Sequence, residues 1–327
     1  MLHKAVLLVT FNRLDYLKEV FEAIAKAQPP RLYLASDGPR ESKSGEKEKV
    51  QEVRAWLLSH VNWPCEVKTR FLEKNSGGCG LGVSGAVTWF FQNEKDGIVL
   101  EDDCLPTQSF FRYCEELLDR YADNKRIWHI SGMAPIDVKT SASYYFAKIM
   151  QGGGWAGWAD RWLPYFTLDI SSVDEEVFHK FSPKRYIQNY WRGIVELCNH
   201  GNMADAWDYQ WTVIIVAHDG LCINAVHNQV SNIGTIGTHF SENSLFVTPF
   251  QPSYELTAIV HPQKIECDYD AVNRIYRERY LIKTRMELLS RLLIRTVLPK
   301  FLVNILRRYN IQRINRKRMS LGVRLKP

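Results

Sequence analysis

The chain has 327 residues, of which 46% are hydrophobic and 24% are charged. This composition is typical of a globular protein and excludes a disordered or fibrous one, and the length allows one large α/β domain or two smaller ones. The seven cysteines include no C-x-x-C pair, which argues against a zinc site or a disulfide framework and favours reduced thiols in the cytosol.

Two observations on hydrophobic segments bear on localisation. The N-terminal apolar run, Ala5 to Val9, is too short for a signal peptide and is followed at once by polar residues. No segment contains the roughly 20 apolar residues of a membrane span. We therefore expect a cytoplasmic protein.

The net charge of +6 conceals a split along the chain. Residues 271–327 contain 16 Lys and Arg and two acids, a net charge of +14, whereas the remainder has a net charge of −8. Apolar residues recur there at helical spacing from Ile282 to Val297, so we predict a basic amphipathic helix. Such a helix binds an anionic membrane surface, here through 281–327, or packs on the body with a solvated basic face. We expect no nucleic-acid partner, since no binding module is recognisable.

The first half of the chain alternates between strand and helix patterns. In chain order, these are a strand at 4–10, a helix from Leu14 through Ile24, a strand at 31–36, a helix through 50–57, a strand at 66–72, a glycine-rich loop at 75–82, a helix to 91, a strand at 97–100, a helix at 109–121 and a strand at 127–131. Short connections between alternating elements are typical of a doubly wound sheet. We predict an α/β protein with a mostly parallel central sheet flanked by helices.

One of these strands ends in three consecutive acids. Ile98 to Leu100 suits a buried parallel strand, and Glu101, Asp102 and Asp103 follow it directly. At the carboxyl end of a central strand these acids would lie in the crevice where open α/β sheets bind ligands. A divalent metal ion that carries phosphate oxygens is their natural partner. The alternative is a solvated acidic turn before a helix, with Asp103 or Thr107 as the cap.

Polar residues also follow the first two strands. Arg13 comes after the first and would hold a diphosphate oxygen, while Asp37 ends the second and would accept hydrogen bonds from a base or ribose. Plain turn chemistry is the alternative for Asp37-Gly38-Pro39. The glycine-rich loop at 75–82 matches neither a P-loop nor a dinucleotide-binding fingerprint; it would let backbone amides approach a ligand, or be a mobile surface loop.

The second half contains three further candidates. Three glycines precede Trp155, which would stack on a sugar or cover a cavity, unless this is a bend with buried indoles. Asp208 lies among aromatic residues at the start of a helix to about His218, and would be a general base or a residue that compensates the helix dipole. A Gly/Ser/Thr loop from 230 ends in Thr238 and His239, where the histidine is a metal or phosphate ligand or a structural residue.

In this order the motifs resemble those of the GT-A nucleotide-sugar glycosyltransferases. The most similar type is the inverting N-acetylglucosaminyltransferase I type, in which Glu-Asp-Asp ends the central strand, and the resemblance extends to bacterial capsule and lipopolysaccharide transferases. It covers about residues 4–240. It implies a GT-A (Rossmann-like) domain at 1–270, with a nucleotide-binding half at 1–132 and an acceptor half at 133–270, and 271–327 as a basic helical extension.

The resemblance also implies the roles of individual residues. Asp103 would ligate Mn²⁺ or Mg²⁺, with Glu101 and His239 as further metal ligands. Donor contacts would come from Arg13, Asp37, Asp102, Trp155 and Thr238. Asp208 would deprotonate the acceptor hydroxyl, although the family has two adjacent acids where this chain has Asp208, Tyr209 and Gln210, so a shift of one residue would move the base.

The implied reaction is metal-dependent transfer of a sugar from a nucleotide-diphosphate donor, with UDP-sugars favoured, to a hydroxyl of a glycan or lipid-linked acceptor, with inversion. The implied setting is surface polysaccharide synthesis at the inner face of the plasma membrane. The alternatives are a sugar nucleotidyltransferase and a non-catalytic membrane-associated protein that retains the fold. A structure that buries Asp103 against a cationic side chain, or that points it away from Asp37, Arg13 and Asp208, would overturn the transferase interpretation.

Overall fold

The computed structural model describes residues 2–200, 206–234, 251–280 and 282. The strands are β1 Val6–Thr10, β2 Arg31–Ser36, β3 Glu66–Phe71, β4 Asp96–Glu101, β5 Cys104–Pro106, β6 Ile127–Ser131, β7 Tyr144–Ala147, β8 Trp155–Trp158, β9 Leu221–Ala225 and β10 Val230–Asn232. The helices are α1 Leu14–Ala27, α2 Glu46–His60, α3 Cys79–Phe91, α4 Gln108–Arg120, α5 Ala159–Trp162, α6 Glu175–Phe181, α7 Arg185–Asn199, α8 Asp208–Ala217 and α9 Tyr269–Arg274, and a π-helical turn follows at Ile275–Arg279.

Eight of the strands form one sheet in the order β3-β2-β1-β4-β8-β6-β9-β7. The neighbours β3, β2, β1 and β4 are parallel, as are β6 and β9, whereas β8 and β7 run antiparallel to their neighbours. The predicted α/β class with a mostly parallel sheet is therefore confirmed. Because the chain proceeds outward from β1 to β3 on one side and returns to β4 on the other, the strand order reverses between β1 and β4.

The elements follow from local sequence. Val6, Leu7 and Leu8 of β1 are fully buried, as a strand covered on both faces requires. Helix α1 buries one face and ends at Gln28, which has φ +52° and directly precedes Pro29, a residue that cannot continue a helix. Two hydrophobic clusters of buried side chains form the core.

The Gly/Trp segment has the buried indoles of the alternative interpretation, but it forms a strand rather than a bend. Residues Trp155–Trp158 form β8, which pairs antiparallel with both β4 and β6 in the middle of the sheet. All four residues are buried, so the segment lacks the alternation by which a half-exposed strand is recognised.

Residues after 270 also contribute to the core. Val272, Ile275 and Tyr276, in α9 and the π-helical turn, are fully buried in the same cluster as the sheet. Within the described residues no helix is long and apolar enough to cross a membrane. None of the seven cysteines forms a disulfide. The predicted amphipathic helix after Ile282 lies outside the described residues.

His129 of β6 predicts how stability depends on pH. It is fully buried, its Nε2 lies 3.1 Å from the Gln151 carbonyl oxygen, and its Nδ1 has no partner among the described residues. Burial lowers the pKa of His129 to about 4. In the unfolded chain His129 binds a proton below about pH 6.5, whereas in the folded protein it does so only below about pH 4. The free energy of unfolding therefore falls as the pH is lowered from about 6.5 to about 4.

We expect His129→Gln, which retains an N–H donor toward Gln151, to lose about 2 kcal/mol less stability than the wild type between pH 7.5 and pH 5. Urea unfolding at the two pH values measures this. His227→Gln, at an exposed position, is the control and should not change the difference. An identical loss in wild type and His129→Gln would contradict the assignment.

Candidate functional site

The candidate site lies at the carboxyl ends of β1 and β4, where the strand order reverses. In open α/β sheets this reversal opens a crevice, since the connections leave the two strands toward opposite faces. Glu101 ends β4 and pairs in register with Val9 of β1. Asp102 and Asp103 form the turn between β4 and β5, and the loop after β1 carries Arg13. The predicted proximity of Arg13 to the acids is therefore observed.

Arg13 binds both aspartates. Its Nη2 contacts Asp102 Oδ1, its Nε lies 3.4 Å from Asp102 Oδ2, and its Nη1 lies 2.9 Å from Asp103 Oδ2. The loop that carries Arg13 is itself held, because Asn12 Nδ2 donates to the buried Glu46 carboxylate at 3.1 Å. Burial alone would lower the pKa of the guanidinium, but the two carboxylates outweigh it and raise that pKa. Arg13 is therefore a fixed positive charge at this point.

The acids differ in exposure and in protonation. The Asp102 side chain is 4% exposed and that of Asp103 is 15% exposed. Burial raises the pKa of Asp102 to about 6, against the lowering effect of Arg13. Burial, followed by the charges of Asp103 and Asp102, raises the pKa of Glu101 to about 8. One arginine thus does not balance the group, and an additional cation would be stabilised there.

Asp103 directly precedes β5, which forms a short sheet with β10. The backbone N–H of Ile233 donates to the Asp103 carbonyl at 2.8 Å, and a Cβ at Gly234 would lie 2.4 Å from Asp103 Oδ2. Only glycine allows the backbone to approach the carboxylate this closely. The predicted ligands Thr238 and His239 lie outside the described residues.

The alternative reading of the acids holds in one detail. Thr107 caps α4, accepting from the Phe110 N–H at 3.3 Å. Asp102, however, is buried rather than solvated.

Asp37 is engaged by the glycine-rich loop. Its Oδ1 accepts from the N–H groups of Gly38 at 2.8 Å and Ser76 at 2.9 Å, and its Oδ2 accepts from Asn75 Nδ2 at 3.1 Å and Ser76 Oγ at 2.7 Å. A carboxylate offers about four acceptor positions, and three donors of this loop together with the Gly38 N–H use them all. In this arrangement Asp37 shapes the loop at the end of β3 and has no acceptor left for a base.

Trp155 belongs to the core, so its predicted contact with a donor is corrected. It is 1% exposed, and its ring stacks on His129 at 4.9 Å and on Trp207 at 5.7 Å. Two of the preceding glycines also serve protein packing. A Cβ at Gly153 would lie 2.6 Å from Met133 Sδ, and one at Gly154, where φ is +78°, would lie 2.9 Å from the Val230 methyls.

Asp208 lies where its charge acts on both the acids and a group of tyrosines. It begins α8, and it contributes to the raised pKa of Glu101. It also raises the pKa of Tyr209, after the larger effect of burial. Tyr190 and Tyr280 experience the same charge.

Within the described ranges, no three His, Cys, Asp or Glu side chains converge as a metal cluster. Glu101 and Asp103, two of the three predicted ligands, act on each other electrostatically. The third, His239, is not described. The Arg13–Asp103 ion pair meets in part the condition set against the transferase interpretation. The guanidinium takes up one oxygen of Asp103, which counts against a metal ion there, although the Asp103 side chain is 15% exposed and does face Arg13.

Three contributors were missed at the sequence level. Gly234 packs on Asp103, Ser76 binds Asp37, and Tyr280 lies within reach of the charge on Asp208. The Gly/Ser/Thr composition of the two loops was a signal for the first two. No signal marked Tyr280, which is separated from Asp208 by more than 70 positions in the sequence.

No family model matches the chain, and no curated protein matches it. Solved structures with similarity to it include a mannosyltransferase from Pyrobaculum calidifontis in complex with GDP-Man and Mn²⁺, at 13% identity and a TM-score of 0.37 over 67% of this chain and 70% of that one. Mouse xyloside xylosyltransferase 1 is similar at 11% identity and a TM-score of 0.37, over 67% of this chain and 83% of that one.

A UDP-glucose pyrophosphorylase complexed with UDP-glucose is similar at 10% identity and a TM-score of 0.34, over 68% of this chain and 90% of that one. The similar structures thus include both sugar transferases and a nucleotidyltransferase. Similarities of this size do not bear on the function, which has to be argued from the residues of the site.

Proposed function

We propose that this protein is a glycosyltransferase that moves a sugar from a nucleotide-diphosphate donor to an acceptor hydroxyl. The observation that carries the proposal is the position of Arg13 and the Glu101–Asp103 acids at the strand-order reversal between β1 and β4. Ligands of doubly wound sheets bind at such a reversal. Arg13 is a fixed positive charge that can bind a diphosphate. The neighbouring acids can bind the metal ion that accompanies the diphosphate.

Arg13 is the proposed diphosphate ligand. Its guanidinium offers five donors, and its side chain is 26% exposed, so it is open to solvent on one side. A diphosphate would compete with Asp103 for Nη1, while the contacts with Asp102 hold the arginine in place. Arg13 would then act as an internal counter-ion that binds Asp103 without the donor and phosphate with it.

The site offers one or two carboxylates that can bind Mn²⁺ or Mg²⁺. Carboxylate oxygens suit these ions, which commonly use one or two carboxylates and take their other ligands from phosphates and water. Asp103 is the proposed ligand, with Glu101 beside it, once Arg13 has exchanged to the diphosphate. When bound, such an ion supplies charge stabilisation for the departing nucleoside diphosphate.

Asp208 is the proposed general base. Its charge contributes to the raised pKa of Glu101, and it is followed directly by Tyr209, whose pKa it also raises. A carboxylate in such a setting can accept the proton of an attacking hydroxyl. Aromatic side chains around it would cover the apolar faces of an acceptor sugar. An acceptor opposite the leaving group corresponds to inversion.

Residues 281–327 are the proposed membrane contact. They contain 13 Lys and Arg and one acid, and they follow a segment in which Ile275 and Tyr276 are buried against the body. A lipid-linked acceptor would lie at the same surface, which favours peripheral attachment to the inner face of the plasma membrane. The donor is expected to be a UDP-sugar, and the pathway surface polysaccharide synthesis.

Donor binding is tested first by a thermal-shift screen of UDP-, GDP-, dTDP- and CMP-linked sugars, with Mn²⁺ and with EDTA. We expect Asp103→Asn to weaken the Mn²⁺-dependent part of nucleotide binding at least tenfold, because it removes the metal ligand. Arg13→Gln should weaken binding in EDTA as well, because it removes a phosphate donor. Asp123→Asn, at an exposed position, is the control.

Circular dichroism checks that the variants remain folded. Full Mn²⁺-dependent binding by Asp103→Asn would contradict the metal assignment. Pyrophosphate rather than nucleoside diphosphate as the product would indicate a nucleotidyltransferase, and no nucleotide binding at all would indicate a non-catalytic protein.

Catalysis is tested at Asp208. We expect Asp208→Asn to lower kcat about 10²- to 10⁴-fold, with nucleotide affinity retained, because it removes only the base. Release of nucleoside diphosphate from the donor measures turnover. Asp219→Asn, at the far end of α8 and 69% exposed, is the matched control. Unchanged turnover in Asp208→Asn would exclude it as the base.

The membrane contact is tested by co-sedimentation with vesicles of neutral lipid, with and without 25% phosphatidylserine. Each basic residue near an anionic surface contributes on the order of 1 kcal/mol. A full-length variant with Arg313, Arg316, Lys317 and Arg318 replaced by Gln should therefore bind anionic vesicles at least tenfold more weakly. A chain ending at 282, which retains the π-helical turn, should not bind. Equal binding by all three proteins would contradict the proposal.

A further inference from the structure

A second cavity lies on the α3 side of the sheet edge, away from the acids. It has a volume of about 510 Å³ and opens between α3 and the segment 166–169. This volume is in the range of small-molecule sites, and none of its lining residues belongs to the Glu101–Asp103 site. The lining includes Arg70, Ser84, Thr88, Trp89, Gln92 and Phe166. It also includes one acid, Asp169, whose Oδ1 accepts from the Ser171 N–H at 2.9 Å.

The guanidinium group of Arg70 lines this cavity. It lies on the edge strand β3, and it has no hydrogen-bond or ion-pair partner in the part of the chain that the structure describes. A Cβ at Gly85 would lie 3.1 Å from Arg70 Nη2, so the glycine lets the guanidinium lie against α3. A guanidinium held in this way is a ready donor to a carboxylate or phosphate.

The opposite wall is fixed in advance. Trp162 Nε1 donates to Thr88 Oγ1 at 2.9 Å, and the Trp162 ring stacks on Phe166 at 3.9 Å with an interplanar angle of 8°. One buried tryptophan thus joins α3 to the segment that forms the other side of the cavity. Trp89 is held by an edge contact with Tyr33 at 5.2 Å. The cavity therefore needs little reorganisation to receive a ligand.

The combination of side chains indicates the class of ligand. Trp89 and Phe166 offer apolar ring surface, Gln92 and Thr88 offer neutral hydrogen-bonding groups, and Arg70 offers a charge. A sugar ring has apolar C–H faces and a rim of hydroxyls. An acidic sugar also carries an anionic group that Arg70 can bind. We propose that this cavity binds a saccharide carrying a carboxylate or a phosphate group, at a site separate from the donor crevice.

Saturation-transfer NMR on the full-length protein tests this with D-glucuronate, glucose 6-phosphate, D-glucose and inorganic phosphate. We expect at least one of the two acidic sugars to bind at least tenfold more tightly than glucose or inorganic phosphate. The tighter of the two identifies the anionic group. Arg70→Gln should reduce its affinity to that of glucose, whereas Lys26→Gln, the same charge change at an exposed position, should not.

Saturating UDP with Mn²⁺ separates this site from the proposed donor crevice, because it should not displace the acidic sugar. The proposal is overturned if Arg70→Gln binds as well as the wild type, if glucose or inorganic phosphate binds as tightly as both acidic sugars, or if UDP displaces the sugar. Since direct binding is measured, these outcomes do not depend on whether the protein is a transferase.

Discussion

The contact of Arg13 with Asp102 and Asp103 is the interaction on which the candidate site depends. It joins the loop after β1 to the turn after β4, the two connections that leave the sheet where its strand order reverses. Three consecutive acids beside a buried strand end would repel one another without it, and a buried carboxylate that loses its partner is costly. The single arginine does not fully balance the group, as the raised pKa of Glu101 indicates. That remaining imbalance favours a further cation at this point.

Several residues that resemble ligand contacts in the sequence have structural partners. Asp37 uses both oxygens to hold the loop at 75–76, and Trp155 is enclosed by His129 and Trp207. Both cases follow from the same requirement, because buried polar groups need partners and large rings need to be covered. A residue type that suits a ligand suits a protein neighbour equally well.

The segment that precedes the basic tail packs on the core and comes near Asp208. Val272 and Tyr276 are buried in the core, and Tyr280 lies within the electrostatic reach of Asp208. The aromatic wall beside the proposed base is therefore built partly from residues near the C-terminal end of the body.

Local pattern was sufficient for the first half of the molecule. Strand β2 and strand β6 have the predicted bounds, and the acids lie at the end of a central strand, because apolar runs, helical spacing and Pro29 act over a few residues. Only the tertiary structure decided that Trp155–Trp158 is a strand in the middle of the sheet. The same holds for the packing of Gly234 on Asp103 and for the ion pair between Arg13 and Asp103. These depend on residues far apart in the chain meeting in space, where close packing and the pairing of buried charge select the partner, and no local spacing records that choice.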